Sequence, residues 1–407
     1  MKLLLSALIP GLFMQHTVAQ SQPQPSSGSD QSELVRGNNA FAIDLYGQLR
    51  GQSGNLFYSP ASISTALAMT YAGARGDTAT EMAKTLHFTL PPERLHPAMG
   101  VLLGELNSTH NGYQLRVADA LWAEQDHNFL AAYLKQMEAD YGSGLHRVDF
   151  RNASPAARLT INQWVAKNTE NKIQDLLQPG VVDANTRLVL TNAIYFKGAW
   201  LQPFDVAQTE SGDFYLTPAQ TTRAQFMHRH GRFNYCAAPE AQLLEIPYQS
   251  GELSMVLLLP PAKDGLPALE KKLTASVLQQ WLGKMQPAPR VELALPRFKM
   301  TQQFVLDTAL GALGMRLAYD GKEADFSGMT GARDLWISSA IHKAFVDVTE
   351  EGTEAAAATA VVMRMLAMPH DPTPPIVFRA DHPFLFLIRD NRSGLILFLG
   401  RVADPTK

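Results

Sequence analysis

The stretch Glu350-Glu351-Gly352-Thr353-Glu354-Ala355-Ala356-Ala357-Ala358-Thr359-Ala360-Val361-Val362-Met363-Arg364-Met365-Leu366 constrains this chain more than any other. By propensity alone its alanine run reads as helix. Read with the two-residue period of a strand, Thr353, Ala355, Ala357, Thr359, Val361 and Met363 fall on one face, and Glu354, Ala356, Ala358, Ala360, Val362 and Arg364 on the other. Both charges then share a face. A strand of small residues with one uncharged face can slide between two existing strands without steric conflict while its charged face stays in water. Downstream, Pro369, Pro372, Pro374 and Pro375 exclude helix and disfavour a central strand, leaving an extended, exposed loop of the kind that proteases cut. Taken by itself, the segment is equally compatible with a short alanine helix followed by a proline-rich connector.

The remaining chain has the means to hold such a strand. Its 407 residues are 46% hydrophobic and 18% charged, enough to bury a substantial core and too apolar for a disordered or fibrous protein. A formal net charge of -3 gives no broad basic field, so neither nucleic acid nor an anionic membrane surface is expected as a partner. Cys236 is the only cysteine, which excludes an intramolecular disulfide and a multi-thiolate zinc site; it reads as a small core hydrophobe.

At the N-terminus, Lys2, the apolar run Leu3 to Met14 and the small residues Thr17-Val18-Ala19 form a signal-peptide pattern over residues 1–19. No later stretch approaches about 18 uninterrupted apolar residues, and no cysteine follows the apolar run, so no membrane anchor is expected. These features predict a secreted or extracellular protein, the periplasm included. Residues 20–33, rich in Gln, Ser, Pro and Gly, read as a disordered tether, and residues 34–407 as one α+β domain.

Leu34, Phe41, Leu45 and Leu49 give a first amphipathic helix ending at Gly51, and Ser59-Pro60 opens a second. Thr78 with Glu81 has the capping-box spacing for a third. Strand signals lie at Leu115 to Trp122, Arg187 to Phe196, Leu253 to Leu259 and Val291 to Leu295; several lack alternation, which implies burial on both faces. Phe384 to Ile388 and Leu395 to Leu399, separated by Asp390-Asn391-Arg392-Ser393-Gly394, read as a buried hairpin.

Catalytic signatures are absent. There is no GxSxG, HExxH, Walker or GxGxxG motif, and His228 and His230, the only close histidine pair, read as surface residues. An enzyme is therefore not expected, and neither is a metal or other cofactor.

Over nearly all of the chain from Leu34 onward, four blocks resemble the serpin family: Asn55 to Pro60, Asn162 to Val165, Leu190 to Trp200, and Asp381 to Phe386. The Glu350 to Ala360 block is similar to that of its inhibitory members, and the chain is identified as a secreted, bacterial-type one. The resemblance implies a large central β-sheet with smaller sheets, about nine surrounding helices and an exposed reactive-centre loop over about residues 350–375. It implies a monomer that inhibits a serine protease as a suicide substrate. The protease cleaves the loop, is caught as a covalent acyl complex, and is distorted when the loop inserts into the sheet.

By the same resemblance Gly352, Thr353, Glu354, Ala355, Ala356, Ala357, Ala358, Thr359 and Ala360 form the hinge. The scissile bond falls between Leu366 and Ala367, which implies chymotrypsin-, cathepsin-G- or elastase-like targets. A slip in register offers Met365, or Arg364 and with it trypsin-like targets. Ser59, Ser62, Asn192 and His342 match a polar cluster beneath the opening sheet, Trp200 the aromatic under the insertion point, and Arg297 is expected to pair with Glu350. Non-inhibitory serpins, which act as carriers or storage proteins, are the alternative; the hinge here carries no proline or inward charge.

Overall fold

The computed structural model describes residues 28–107, 112–142, 144–353 and 374–407. The unbroken apolar runs become central strands, and the segments between them supply helices that close both faces. Fifteen strands are present among the described residues: β1 (Leu56–Tyr58), β2 (Tyr113–Glu124), β3 (Leu145–Val148), β4 (Leu188–Ala199), β5 (Glu210–Thr217), β6 (Gln220–Ala237), β7 (Gln242–Pro247), β8 (Leu253–Leu259), β9 (Gln286–Pro296), β10 (Phe298–Val305), β11 (Ser339–Val348), β12 (Gly352–Thr353), β13 (Ile376–Arg379), β14 (Phe384–Asp390) and β15 (Ile396–Val402). Ten α-helices accompany them, the first six being α1 (Gly28–Leu49), α2 (Pro60–Gly73), α3 (Gly76–Thr85), α4 (Pro92–Leu106), α5 (Ala131–Tyr141) and α6 (Phe150–Asn168).

The strands form two sheets. One runs β1-β15-β14-β8-β7-β6-β9-β13, with β5 added beside β6, and the other runs β10-β11-β12-β4-β2-β3. The smaller sheets expected from the sequence are thus hydrogen-bonded into one, because the long β6 pairs with β7 at its far end and with β5 and β9 before it. The six-stranded sheet holds Gly352 and Thr353, the first two residues of the expected hinge. In it β11 and β4 pair in parallel through seven positions, from Ser339 opposite Val189 to Phe345 opposite Tyr195.

Two helices sandwich this sheet. α2 is buried almost all round, as expected for a core helix, and Ser59 caps it by accepting the Ser62 amide at 3.2 Å. On the opposite face α6 sets Phe150, Ala157, Ile161 and Val165 against residues of β2, β4 and β11, among them Ala120, Tyr195 and Phe345.

Two expectations are corrected. The first helix starts at Gly28, inside the stretch read as disordered tether to Glu33. Its polar residues find distant partners that composition does not reveal: buried Asp30 pairs with Arg94, and Gln31 Nε2 donates to the Ala98 carbonyl at 2.8 Å. Thr78 and Glu81 do not cap α3, whose N-cap is Arg75 without a side-chain bond. Instead Thr78 Oγ1 accepts the Asp325 amide at 3.0 Å, and Glu81 accepts the amides of Arg316 and Leu317 at 2.8 Å each, so tertiary donors outcompete the local ones.

Candidate functional site

After β11 the chain turns at Thr349–Glu351 and comes back as β12, which wedges between β11 and β4 at one end of their parallel pairing. Thr353 pairs with Val348 on one side and Gly198 on the other, antiparallel to both strands, and Gly352 pairs with Ala199. The wedge is tight. Gly352 has φ +150°, and a Cβ there would lie 2.0 Å from the Gly198 carbonyl oxygen, so glycine is required. Thr353 is fully buried, with its hydroxyl 2.8 Å from the Tyr248 hydroxyl.

Beneath the wedge Trp200 stacks on Tyr248 with ring centroids 4.6 Å apart. Its indole donates to the Thr349 carbonyl at 3.0 Å and its amide to the Glu351 carbonyl at 2.9 Å. The side of the turn is fixed by Glu350, whose side chain is 5% exposed and lies 2.5 Å from the Arg297 guanidinium. The Thr209 hydroxyl donates to the same carboxylate oxygen. Burial raises the pKa of Glu350, but the hydrogen bonds from Arg297 and Thr209 outweigh it and hold the carboxyl below its ordinary value.

Further along the seam, on the face toward α2, one row of residues crosses the sheet: Asp119 of β2, Asn192 of β4, His342 of β11 and Phe304 of β10 stand opposite one another in turn. Their hydrogen bonds have one consistent direction. The Ser59 amide donates to His342 Nε2 at 3.1 Å, which makes Nδ1 the protonated nitrogen, and Nδ1 donates to Asn192 Oδ1. Asn192 Nδ2 donates to the Ser62 hydroxyl at 2.5 Å and to Asp119 Oδ1, to which Ser62 also donates at 3.0 Å.

Burial pushes His342 down to about 3. A histidine titrates near 6.5 when unfolded, so its contribution to stability is complete above about pH 6.5 and is lost as pH falls toward 3. Protonation would set an Nε2 hydrogen against the Ser59 amide. The expected result is a urea midpoint that falls between pH 7.5 and 4.5, with a shallower fall in His342→Asn measured by the same titration.

The outer face is clamped. The connector after α6 receives the Lys343 ammonium on the Gln174 carbonyl at 2.7 Å and the Gln303 amide on the Leu176 carbonyl at 3.0 Å. Since α6 itself packs on β2 and β4, helix and connector together bridge the two halves of the sheet.

Gly352, Thr353 and Glu350 thus sit together with Trp200 and Arg297 at the wedge, and Ser59, Ser62, Asn192 and His342 form one network along the seam. Glu354, Ala355, Ala356, Ala357, Ala358, Thr359 and Ala360 of the hinge, and Arg364, Met365, Leu366 and Ala367 around the expected scissile bond, lie outside the described residues. Sequence reasoning did not single out Asp119, Thr209, Tyr248 or Lys343. Only Asp119 left a signal, the one carboxylate inside the mostly apolar Leu115 to Trp122 run.

Residues 36–405 match the family described as Serpin (serine protease inhibitor). The chain is 43% identical over 384 residues to a human (Homo sapiens) protein named leukocyte elastase inhibitor, covering 92% of this chain and 100% of the relative. Among solved structures it is similar to Serpin48 of the insect Tenebrio molitor, with TM-score 0.82 and 34% identity over 93% of this chain and 100% of that one. Human thyroxine-binding globulin complexed with thyroxine gives TM-score 0.83 and 30% identity, with the same coverage. Gly352 and Thr353 wedged at the end of a parallel seam, joined to these likenesses over almost the whole chain, make this protein a member of the serpin family.

Proposed function

We propose that this serpin traps its target protease as a covalent acyl complex by inserting the cleaved loop between β4 and β11. The observation that carries this reading is the wedge itself. A strand prolonged from Thr353 in the direction of β12 would run antiparallel to both neighbours, and so would replace the seven parallel pairings of the seam with two antiparallel ladders. By the two-residue period Ala355, Ala357, Thr359, Val361 and Met363 would follow Thr353 inward, and none of them is charged.

If about a dozen residues gain sheet hydrogen bonds at about 1 kcal/mol net each, insertion is worth on the order of 10 kcal/mol. That rivals the stability of an ordinary domain, so the uncleaved form is held kinetically. The barrier consists of the seam pairings, the Asn192–His342 contact and the clamp by α6 and its connector.

Leu366 as the residue presented to the protease, together with likeness to a relative named leukocyte elastase inhibitor, supports targets of the elastase and chymotrypsin type. Residues 1–19 support export, with a mature protein acting as a monomer outside the cytoplasm. The test is incubation of the purified protein with an elastase, chymotrypsin and trypsin. A complex that survives boiling in SDS, with a released peptide beginning at Ala367, is the expected result. A peptide beginning at Met365 in a trypsin complex would move the bait to Arg364, and cleavage without any complex would overturn the inhibitory reading.

A further inference from the structure

The row across the sheet contains a group whose presence no hydrogen-bonding need explains. Asn192 requires only an acceptor for its amide hydrogens, yet β2 supplies a carboxylate, Asp119. Of its two oxygens, Oδ1 takes both donors, from Ser62 and Asn192, while Oδ2 is buried with no hydrogen-bond partner among the described residues. The groups that hydrogen-bond to it are uncharged, Ser62 from α2 and Asn192 from β4, and one residue further along the row stands neutral His342 from β11. No described cation pairs with it.

We propose that Asp119 is a positioning residue for opening of the sheet, gripping Asn192 for His342 while ionised and loosening that grip when it takes up a proton on Oδ2. The inference rests on the insertion reading, because only Asn192–His342 in this row crosses the seam that insertion must part. An ionised carboxylate is acceptor-only, so it fixes the Asn192 amide with its hydrogens toward β2 and its oxygen toward β11. It also forms the stronger, charge-assisted bond, and polarisation along the chain strengthens the next one, from His342 Nδ1 to Asn192 Oδ1.

Oδ2 is the natural place for the proton, since nothing donates to it. Burial pushes the Asp119 carboxyl well above the ordinary carboxylate range, against the opposing pull of the Ser62 and Asn192 hydrogen bonds. The grip therefore tightens as pH rises, and the seam parts more readily as pH falls.

The test uses the whole protein and a synthetic peptide with the sequence of residues 353–366, whose annealing into the sheet is followed by intrinsic tryptophan fluorescence between pH 5 and 8. No protease is involved, so its own pH dependence does not enter. The annealing rate of the wild type should rise by about two- to fivefold more from pH 8 to pH 5 than that of Asp119→Asn, which keeps size and amide geometry but cannot titrate. His342 is present in both proteins, so its own titration is common to the two profiles. Superimposable profiles, or a wild-type rate that falls with acid relative to the variant, would overturn the role of Asp119. Absence of annealing at every pH would overturn it together with the insertion reading, whereas annealing with equal profiles would leave insertion standing alone. Should Asp119→Asn not fold, Asp119→Ser provides the same comparison.

Discussion

A Thr353→Arg variant is expected to be cut in its loop by a target protease at close to the normal rate while forming almost no SDS-stable complex. The reason lies in what each state asks of residue 353. In the uncleaved protein β12 is only two residues long, so an arginine can swing out of the wedge at the cost of two register pairs and the bond to Tyr248. In the inserted state the same position is locked between β4 and β11, above Tyr248 and Trp200, both of them fully buried. No described carboxylate shares that pocket, since Glu350 is already taken by Arg297 and Thr209. An unpaired charge buried there costs several kcal/mol, enough to slow the first step of insertion by roughly a hundredfold or more.

Deacylation then wins the race, and the protease leaves intact. The measurement is the number of inhibitor molecules consumed per protease inactivated, expected to climb by roughly a hundredfold. Thr353→Val is the control: it keeps the shape, leaves the Tyr248 hydroxyl without its partner, and should inhibit nearly as well as the parent. Equal inhibition by Thr353→Arg would mean that insertion does not begin at the wedge.

The parts of this machine that were legible in the sequence are those whose reasons are local. Ser59-Pro60 starts α2 because a serine cap followed by proline at the first helical position needs no other residue. The hairpin of β14 and β15 follows from two apolar runs around a polar turn. Of the expected hinge only Gly352 and Thr353 are described, as the two-residue strand β12, and the seam residues were reached through resemblance.

What escaped has partners far along the chain. The start of α1 depends on Arg94 and Ala98, the true job of Glu81 on amides at 316 and 317, and the exposure of Glu350 to a second anchor on Thr209. Asp119 escaped for a different reason. A single carboxylate in a strand gives no hint of its partners until the register puts it opposite Asn192.

The anchor at Glu350 is the place where a single charge reversal should do most damage. Glu350→Lys would bring an ammonium to within about 3 Å of the Arg297 guanidinium, in a site where the native side chain is 5% exposed and the Thr209 hydroxyl is a second donor. Breaking a buried pair costs about 3–5 kcal/mol, and like charges add repulsion to that. The substitution need not unfold the protein, because Glu350 lies in a turn at the margin of the sheet and Arg297 is 41% exposed and can move away.

What it removes is the tie that holds the turn over the mouth of the seam, where the Glu350 carbonyl also accepts the Phe204 amide at 2.9 Å. With that tie gone, the gap between β4 and β11 is open to a strand from any source, including the loop of a second molecule. The expected result is loss of monomer on mild heating at least about tenfold faster than in the parent, followed by native gel electrophoresis. Arg297→Ala should act in the same direction but more weakly, since it leaves Thr209 bound to the carboxylate. Adding Arg297→Glu to Glu350→Lys restores opposite charges across the same contact, and it should bring monomer lifetime most of the way back if the ion pair, and not the shape of the glutamate, holds the hinge in place.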